Sequence, residues 1–168
     1  MKRLIVSNTG PLLHLSEAKA LDLLSLSGEV HIPKSVGVEI GKNDPVWTTP
    51  IWIHVTPLIT SRASEATAWK QAGWLDTGEA DTKALARQIN ADWILTDDTA
   101  ARLFAQTLGL EVHGSLGIVL WAVAIGHISR SEDAYAILER LGHSSLWISP
   151  KVMAEAVETV SVLIKQTK

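Results

Sequence analysis

Two adjacent carboxylates, Asp97 and Asp98, follow directly on the apolar run Trp93, Ile94, Leu95. A chain that leaves the interior and at once presents two negative charges is either capping a helix or offering ligands to a cation. Three more residues are candidates to join them: Asn8, at the end of an apolar run; Glu79, within LDTGEAD; and Glu39, within IPKSVGVEI. Clustered carboxylates repel one another, and burying them unpaired is costly. A divalent, oxygen-seeking cation offsets that cost. Mg2+ or Mn2+ is typically held by one or two carboxylates together with waters and substrate phosphate. Such an ion can activate water and steady the charge that builds up during phosphodiester cleavage.

Strand ends must position these side chains. Residues 3–7 are short, apolar and β-branched at their centre, as a strand buried on both faces would be. Pro11 suits the first turn of a helix, and Leu12, Leu15, Leu23 and Leu24 keep a roughly helical period. Residues 29–33 read as a second strand, and Pro33 opens a short helix through Ile40 that Gly41 closes. In residues 51–58, Ile51, Ile53 and Val55 alternate with Trp52, His54 and Thr56, which predicts a half-exposed strand near an edge, ended by Pro57. Helices are predicted over 64–73, 76–90, 99–109, 115–126 and 131–142, with strands over 92–96 and 111–114. Residues 146–149 read as briefly extended, and Pro150 starts a last helix to about Lys165.

Strands alternating with helices predict an α/β fold with a mainly parallel sheet. The expectation is one domain over residues 1–168, with a core over about 3–128 and a C-terminal helical appendage over about 129–168. In such sheets, sites form outside the carboxyl ends of the strands. If the strands before Asn8 and Asp97 are neighbours, these residues share one edge. A helix entering the Asp97 strand antiparallel starts at that same edge, which puts Glu79 there too. Glu39 reaches the site only if its helix crosses it.

The net charge of -3 provides no blanket of positive charge for nucleic acid, so local basic residues or metal would have to supply the attraction. Zero cysteines exclude disulfides and thiolate metal sites and fit a reducing cytoplasm. The first residues are too weakly apolar for a signal peptide, and the apolar stretch 116–126 is too short to span a bilayer. A soluble cytoplasmic protein is expected.

Each candidate also has a plainer reading. Asp98 suits the N-cap of the helix after it, and Asp76 with Glu79 has capping-box spacing. Glu39 alone fits a solvated helix residue, Asn8 before Thr9 and Gly10 fits turn chemistry, and Ser115 fits an N-cap. Arg102, one turn after Asp98, is placed either to meet a phosphate or to pair with a carboxylate. The six histidines read as ordinary, Trp93 and Trp121 as core.

The segments VSNTGPLLHL, IPKSVGVEI, LDTGEADTKALA and residues 91–122, in this order and spacing, resemble the PIN domain superfamily, and most nearly a prokaryotic PIN-like branch related to VapC toxins. The resemblance runs from about residue 4 to 128 and more loosely to 157. It implies a three-layer α/β/α PIN-like domain and a metal-dependent ribonuclease, often the toxin half of a toxin–antitoxin pair. By position, Asn8 takes the place of the first acidic residue, Glu39 the second, Glu79 the third, and Asp97 or Asp98 the fourth. Ser115 occupies the small-hydroxyl position that often follows. The implied site is catalytic through Asn8, Glu39, Glu79, Asp97 and Asp98. Glu39, Glu79, Asp97 and Asp98 hold Mg2+ or Mn2+, and Thr9, Arg102 and Ser115 lie against substrate. The implied partners are an RNA substrate, a small antitoxin protein and a second copy in a homodimer. One departure stands out: PIN nucleases usually carry Asp where this chain has Asn8, whose amide oxygen ligates without charge. A catalytically silent binding module is therefore the competing class. A phosphoacceptor receiver domain is disfavoured because its downstream Lys is missing.

In the last helix, Met153, Val157, Val160 and Ile164 recur at helical steps, widened by Val152 and Ala156. That face must be buried, against the chain's own fold or against a second subunit or antitoxin.

Overall fold

The computed structural model describes residues 1–168. Five strands form one sheet: β1 (Leu4–Ser7), β2 (Glu29–Ile32), β3 (Ile53–Val55), β4 (Trp93–Leu95) and β5 (Val112–His113), in the order β3-β2-β1-β4-β5. Every pairing is parallel. The order reverses between β1 and β4, so a crevice opens outside their carboxyl ends. Ser7 lies beside Leu95, and the Asn8 amide continues the ladder by donating to the Leu95 carbonyl at 2.9 Å.

Nine helices cover the sheet: α1 (Thr9–Glu17), α2 (Leu23–Ser27), α3 (Lys34–Asn43), α4 (Thr60–Gln71), α5 (Thr77–Gln88), α6 (Thr99–Thr107), α7 (Ser115–Ala124), α8 (Ser131–Gly142) and α9 (Pro150–Gln166). Alternate strand residues face opposite layers. Ile5, Val30, Ile32, Trp93 and Leu95 pack with α1, α2, α3, α7, α8 and α9 in the larger core. Val6 and Ile94 point the other way, toward Leu85 and Ala86 of α5 and Ala105 of α6. The result is a three-layer α/β/α arrangement. No helix is long and apolar enough to cross a membrane.

Several boundaries differ from the sequence expectation. The helical period through Leu24 breaks in two at Lys19, whose backbone takes φ 55°. α3 continues through Gly41 to Asn43, because nothing crowds that glycine and no residue there requires a turn. β3 is an edge strand as expected, but its inward set shrinks to Ile53: Ile51 is almost fully exposed and Val55 half-exposed. Residues 146–149 form no strand. Gly114, not Ser115, is the N-cap of α7.

The C-terminal helices share the main core. Ala134, Leu138 and Leu141 of α8 and Ala156, Val160 and Ile164 of α9 belong to the same cluster as Ile5 and Leu12. α9 therefore buries its apolar face within the chain, against α7 and α8. The buried stripe is rotated from the expected one. It is centred on Ala156, Val160 and Ile164, and it leaves Val157 and Val152 exposed at its flank.

This rotation gives a contrast measurable by urea unfolding. Ile164→Ala is expected to cost about 2–5 kcal/mol. Val157→Ala is expected to stay within about 0.5 kcal/mol of wild type. Equal effects of the two substitutions would contradict this placement of α9.

Candidate active site

The carboxyl edge of β1 and β4 gathers several helix starts. Asn8 is the N-cap of α1, Asp76 of α5, Asp98 of α6 and Gly114 of α7. Helix N-termini carry partial positive charge, so this edge is prepared for anionic groups.

Asn8 and Glu39 meet at Gly78, in the first turn of α5. A Cβ built on Gly78 would lie 2.5 Å from Glu39 Oε2 and 3.5 Å from Asn8 Oδ1. The missing side chain is what lets α3 bring Glu39 across to Asn8. Next to Gly78, Glu79 completes the capping box. Its amide donates to Asp76 Oδ1 at 2.9 Å, and its Oε2 accepts from the Asp76 amide at 3.2 Å. Oε1 has no protein partner and stays available. Burial raises the Glu79 pKa above the ordinary glutamate value. The Asp76 amide opposes that shift, while the negative charges of Asp76 and Asp98 add to it.

The paired aspartates turn to opposite sides of the sheet, as the strand's alternation predicts when it is carried past Leu95. Asp98 falls on the α5 side, with the parity of Val6 and Asn8. Its Oδ1 caps α6 by accepting from the Ala101 amide at 2.7 Å, and its Oδ2 is free. Asp97 falls on the α1/α7 side and is fully engaged. Its Oδ1 accepts from the Ser115 amide at 2.7 Å, and its Oδ2 accepts from the Ser115 hydroxyl and from His14 Nδ1, the latter at 2.6 Å. Burial alone would raise the Asp97 pKa, but the bonds from His14 and Ser115 outweigh it and hold the carboxyl below the ordinary aspartate range.

Capping and ligation are thus compatible for Glu79 and Asp98, each of which keeps one unpartnered oxygen. Asp97 serves as a tie between β4, α1 and α7. Ser115 is fully buried with its hydroxyl committed to Asp97, which does not fit a substrate contact. Thr9 is also buried, its hydroxyl unpartnered. Arg102 forms no salt bridge, unlike Arg62 and Arg87, which both pair with Glu65. A Cβ on Gly114 would lie 2.9 Å from Arg102 Nη1, so the guanidinium stands beside the Asp97 end of the edge.

Two features were not legible as functional from sequence. His14 is not an ordinary histidine but the partner of Asp97; its place on the inner face of α1 beside Leu15 was the available signal. Lys83 is fully buried in α5, one turn after Glu79, and its Nζ has no hydrogen-bond partner. Only two other buried side-chain polar atoms lack partners, Thr9 Oγ1 and Ser35 Oγ. Both follow strand carboxyl ends, so all three lie on the elements that form this edge. Unsatisfied polar atoms in native proteins call for an explanation, and a site for an ion or substrate is one.

A groove of about 670 Å3 runs alongside, lined by Lys34, Ser35, Glu39, Lys42, Asp76 and Gly78 among others. A larger cavity of about 920 Å3 lies at the opposite, amino edge, around Arg3, Asp92 and Trp93. It contains none of the residues converging here.

A family model for the PIN domain matches residues 4–161, and the chain belongs to that family. No curated protein matches it. The fold is thus of a nuclease type, in a family that typically uses divalent ions such as Mg2+ or Mn2+. The donor set fits such an ion: Asn8, Glu39, Glu79 and Asp98 offer only hard oxygens. No three Asp, Glu or His side chains form a ready-made cage.

The tie through Asp97 has a pH signature. A depressed carboxyl pKa contributes stability that is complete at neutral pH and lost as pH falls through the folded value, below about pH 4. Asp97→Asn is expected to destabilise by about 1.5–3 kcal/mol at pH 7. The gap from wild type should narrow in urea titrations below about pH 4. A gap that is constant with pH would contradict the assignment.

Proposed function

We propose that the chain is a Mg2+- or Mn2+-dependent endoribonuclease. The observation that supports this reading is the meeting of Asn8 Oδ1 and Glu39 Oε2 at Gly78, next to Glu79, with Asp98 capping α6 at the same edge. Glu39, Glu79 and Asp98 are the principal ligands in this reading, with Asn8 supplying a neutral oxygen. Asp97, named with them on sequence grounds, acts by fixing the edge. A bound divalent ion would supply Lewis acidity and neutralise phosphate charge.

The chain's own groups do the rest. Glu79 offers Oε1 to the ion in this reading, since its Oε2 already accepts from the Asp76 amide. Lys34 and Lys42 line the groove beside Glu39 and can hold backbone phosphates, with Arg102 beside Gly114 at the Asp97 end of the edge. Local cations of this kind meet the need left by a net charge of -3. A toxin-like role with a small antitoxin as partner, in a homodimer, extends the proposal on the strength of the VapC resemblance.

Asn8 favours a second reading, a catalytically silent module that binds nucleic acid or protein, because the amide brings no charge to the ion. One assay separates the two. Mixed single-stranded and structured RNAs are incubated with Mn2+, with Mg2+ or with chelator. Cleavage is expected with either ion and not with chelator. Glu79→Gln and Asp98→Asn should each reduce the rate by about 100-fold or more, in line with removing about 3 kcal/mol of transition-state stabilisation. Metal-independent cleavage, or full activity in both variants, would contradict the nuclease reading. RNA binding without cleavage would favour the silent module.

A further inference from the structure

Lys83 has no role in the site described so far, yet it is the most unusual side chain in it. It is among the largest fully buried side chains of the protein, and its terminal nitrogen donates to nothing. A buried ammonium without partners is retained only where nearby negative charge compensates it. Glu79 stands one turn before it on α5, and the charges of Glu79, Asp76 and Asp98 favour the ammonium although none of them pairs with it directly. Glu79 and Asp98 are ligands of the proposed ion site, and Asp76 shares the capping box with Glu79. Burial lowers the Lys83 pKa, and the same three carboxylates act against that shift. The edge has therefore lost one negative charge, at Asn8, and gained one internal positive charge, at Lys83.

We propose that Lys83 is the resident cation of this site: its ammonium neutralises part of the Glu79, Asp76 and Asp98 charge when no divalent ion is bound, and repels a divalent ion that enters. The inference rests on the metal-site reading above. Lys83 does not ligate the ion and does not reach substrate, since its nitrogen is sealed from solvent. It acts through the field it places on the carboxylates, as a positioning residue. Its effect, like that of Asn8, is to weaken divalent-ion binding relative to a fully acidic edge.

The test is Mn2+ binding by calorimetry on the full chain, with wild type, Lys83→Met, Lys83→Gln, Lys83→Arg and Asn8→Asp compared at one salt concentration. Removing a buried unit charge one helical turn from Glu79 is expected to tighten binding by about tenfold or more. Lys83→Met and Lys83→Gln should both show it. Lys83→Arg, which keeps the charge, should stay near wild type, and Asn8→Asp should tighten binding independently. The neutral variants should also gain more thermal stability from added Mn2+ than wild type does. A change in packing alone would not sort the variants by charge. If the neutral variants bind Mn2+ as wild type does while Asn8→Asp binds more tightly, the resident-cation inference is overturned and the metal site stands. If none of the five proteins binds Mn2+ at millimolar concentration, the metal-site reading fails and this inference fails with it.

Discussion

Negative charge concentrated at the reversal point of a parallel sheet is the constraint around which this protein is arranged. Glu39, Asp76, Glu79, Asp97 and Asp98 come, with the neutral Asn8, to the carboxyl edge of β1 and β4, where burial strengthens repulsion between carboxylates. The chain answers in three ways. Helix starts at α1, α5, α6 and α7 direct amide dipoles at the edge. Asp97 is taken out of the cluster by His14 and Ser115. Lys83 is placed inside it.

The pleat divides the labour between the two adjacent aspartates. Carried past Leu95, it sends Asp97 to the α1/α7 layer, where three donors meet it, and Asp98 to the α5 layer, where Glu79 stands. One residue becomes a tie that registers three elements, and its neighbour keeps an oxygen free. Capping explains where Glu79 and Asp98 sit, and it leaves each a second oxygen. The plain structural role therefore leaves room in the same side chain for the proposed chemical one.

Much of this was legible in the sequence because it depends on short-range rules. The buried run before Asn8, the strand before Asp97 and the Asp76/Glu79 capping box are local patterns, and each forms as expected. The edge position of β3 follows from Pro57. The parity of Asn8 and Asp98 against Asp97 was also present in the spacing, but it has meaning only once β1 and β4 are known to pair. What could not be read depends on tertiary packing. The rotation of α9 that exposes Val157 is set by its neighbours α7 and α8. The burial of Lys83, in a helix whose polar spacing suits a solvated face, follows from α5 packing against β1 and β4 on one side and α4 on the other. The break at Lys19 is likewise a tertiary choice, since nothing in the local leucine period demands it.

The central claim is that Asn8, Glu39, Glu79 and Asp98 bound one divalent-ion site from which Asp97 is withheld. Anomalous diffraction from crystals grown with Mn2+ tests it most directly. The account predicts one peak at the β1/β4 carboxyl edge, about 2.0–2.3 Å from oxygens of Asp98 and Glu39 or Glu79, with Asp97 still bonded to Ser115 and His14. A peak ligated by Asp97 with those bonds broken, or no peak at this edge while Mn2+ binds elsewhere, would contradict it.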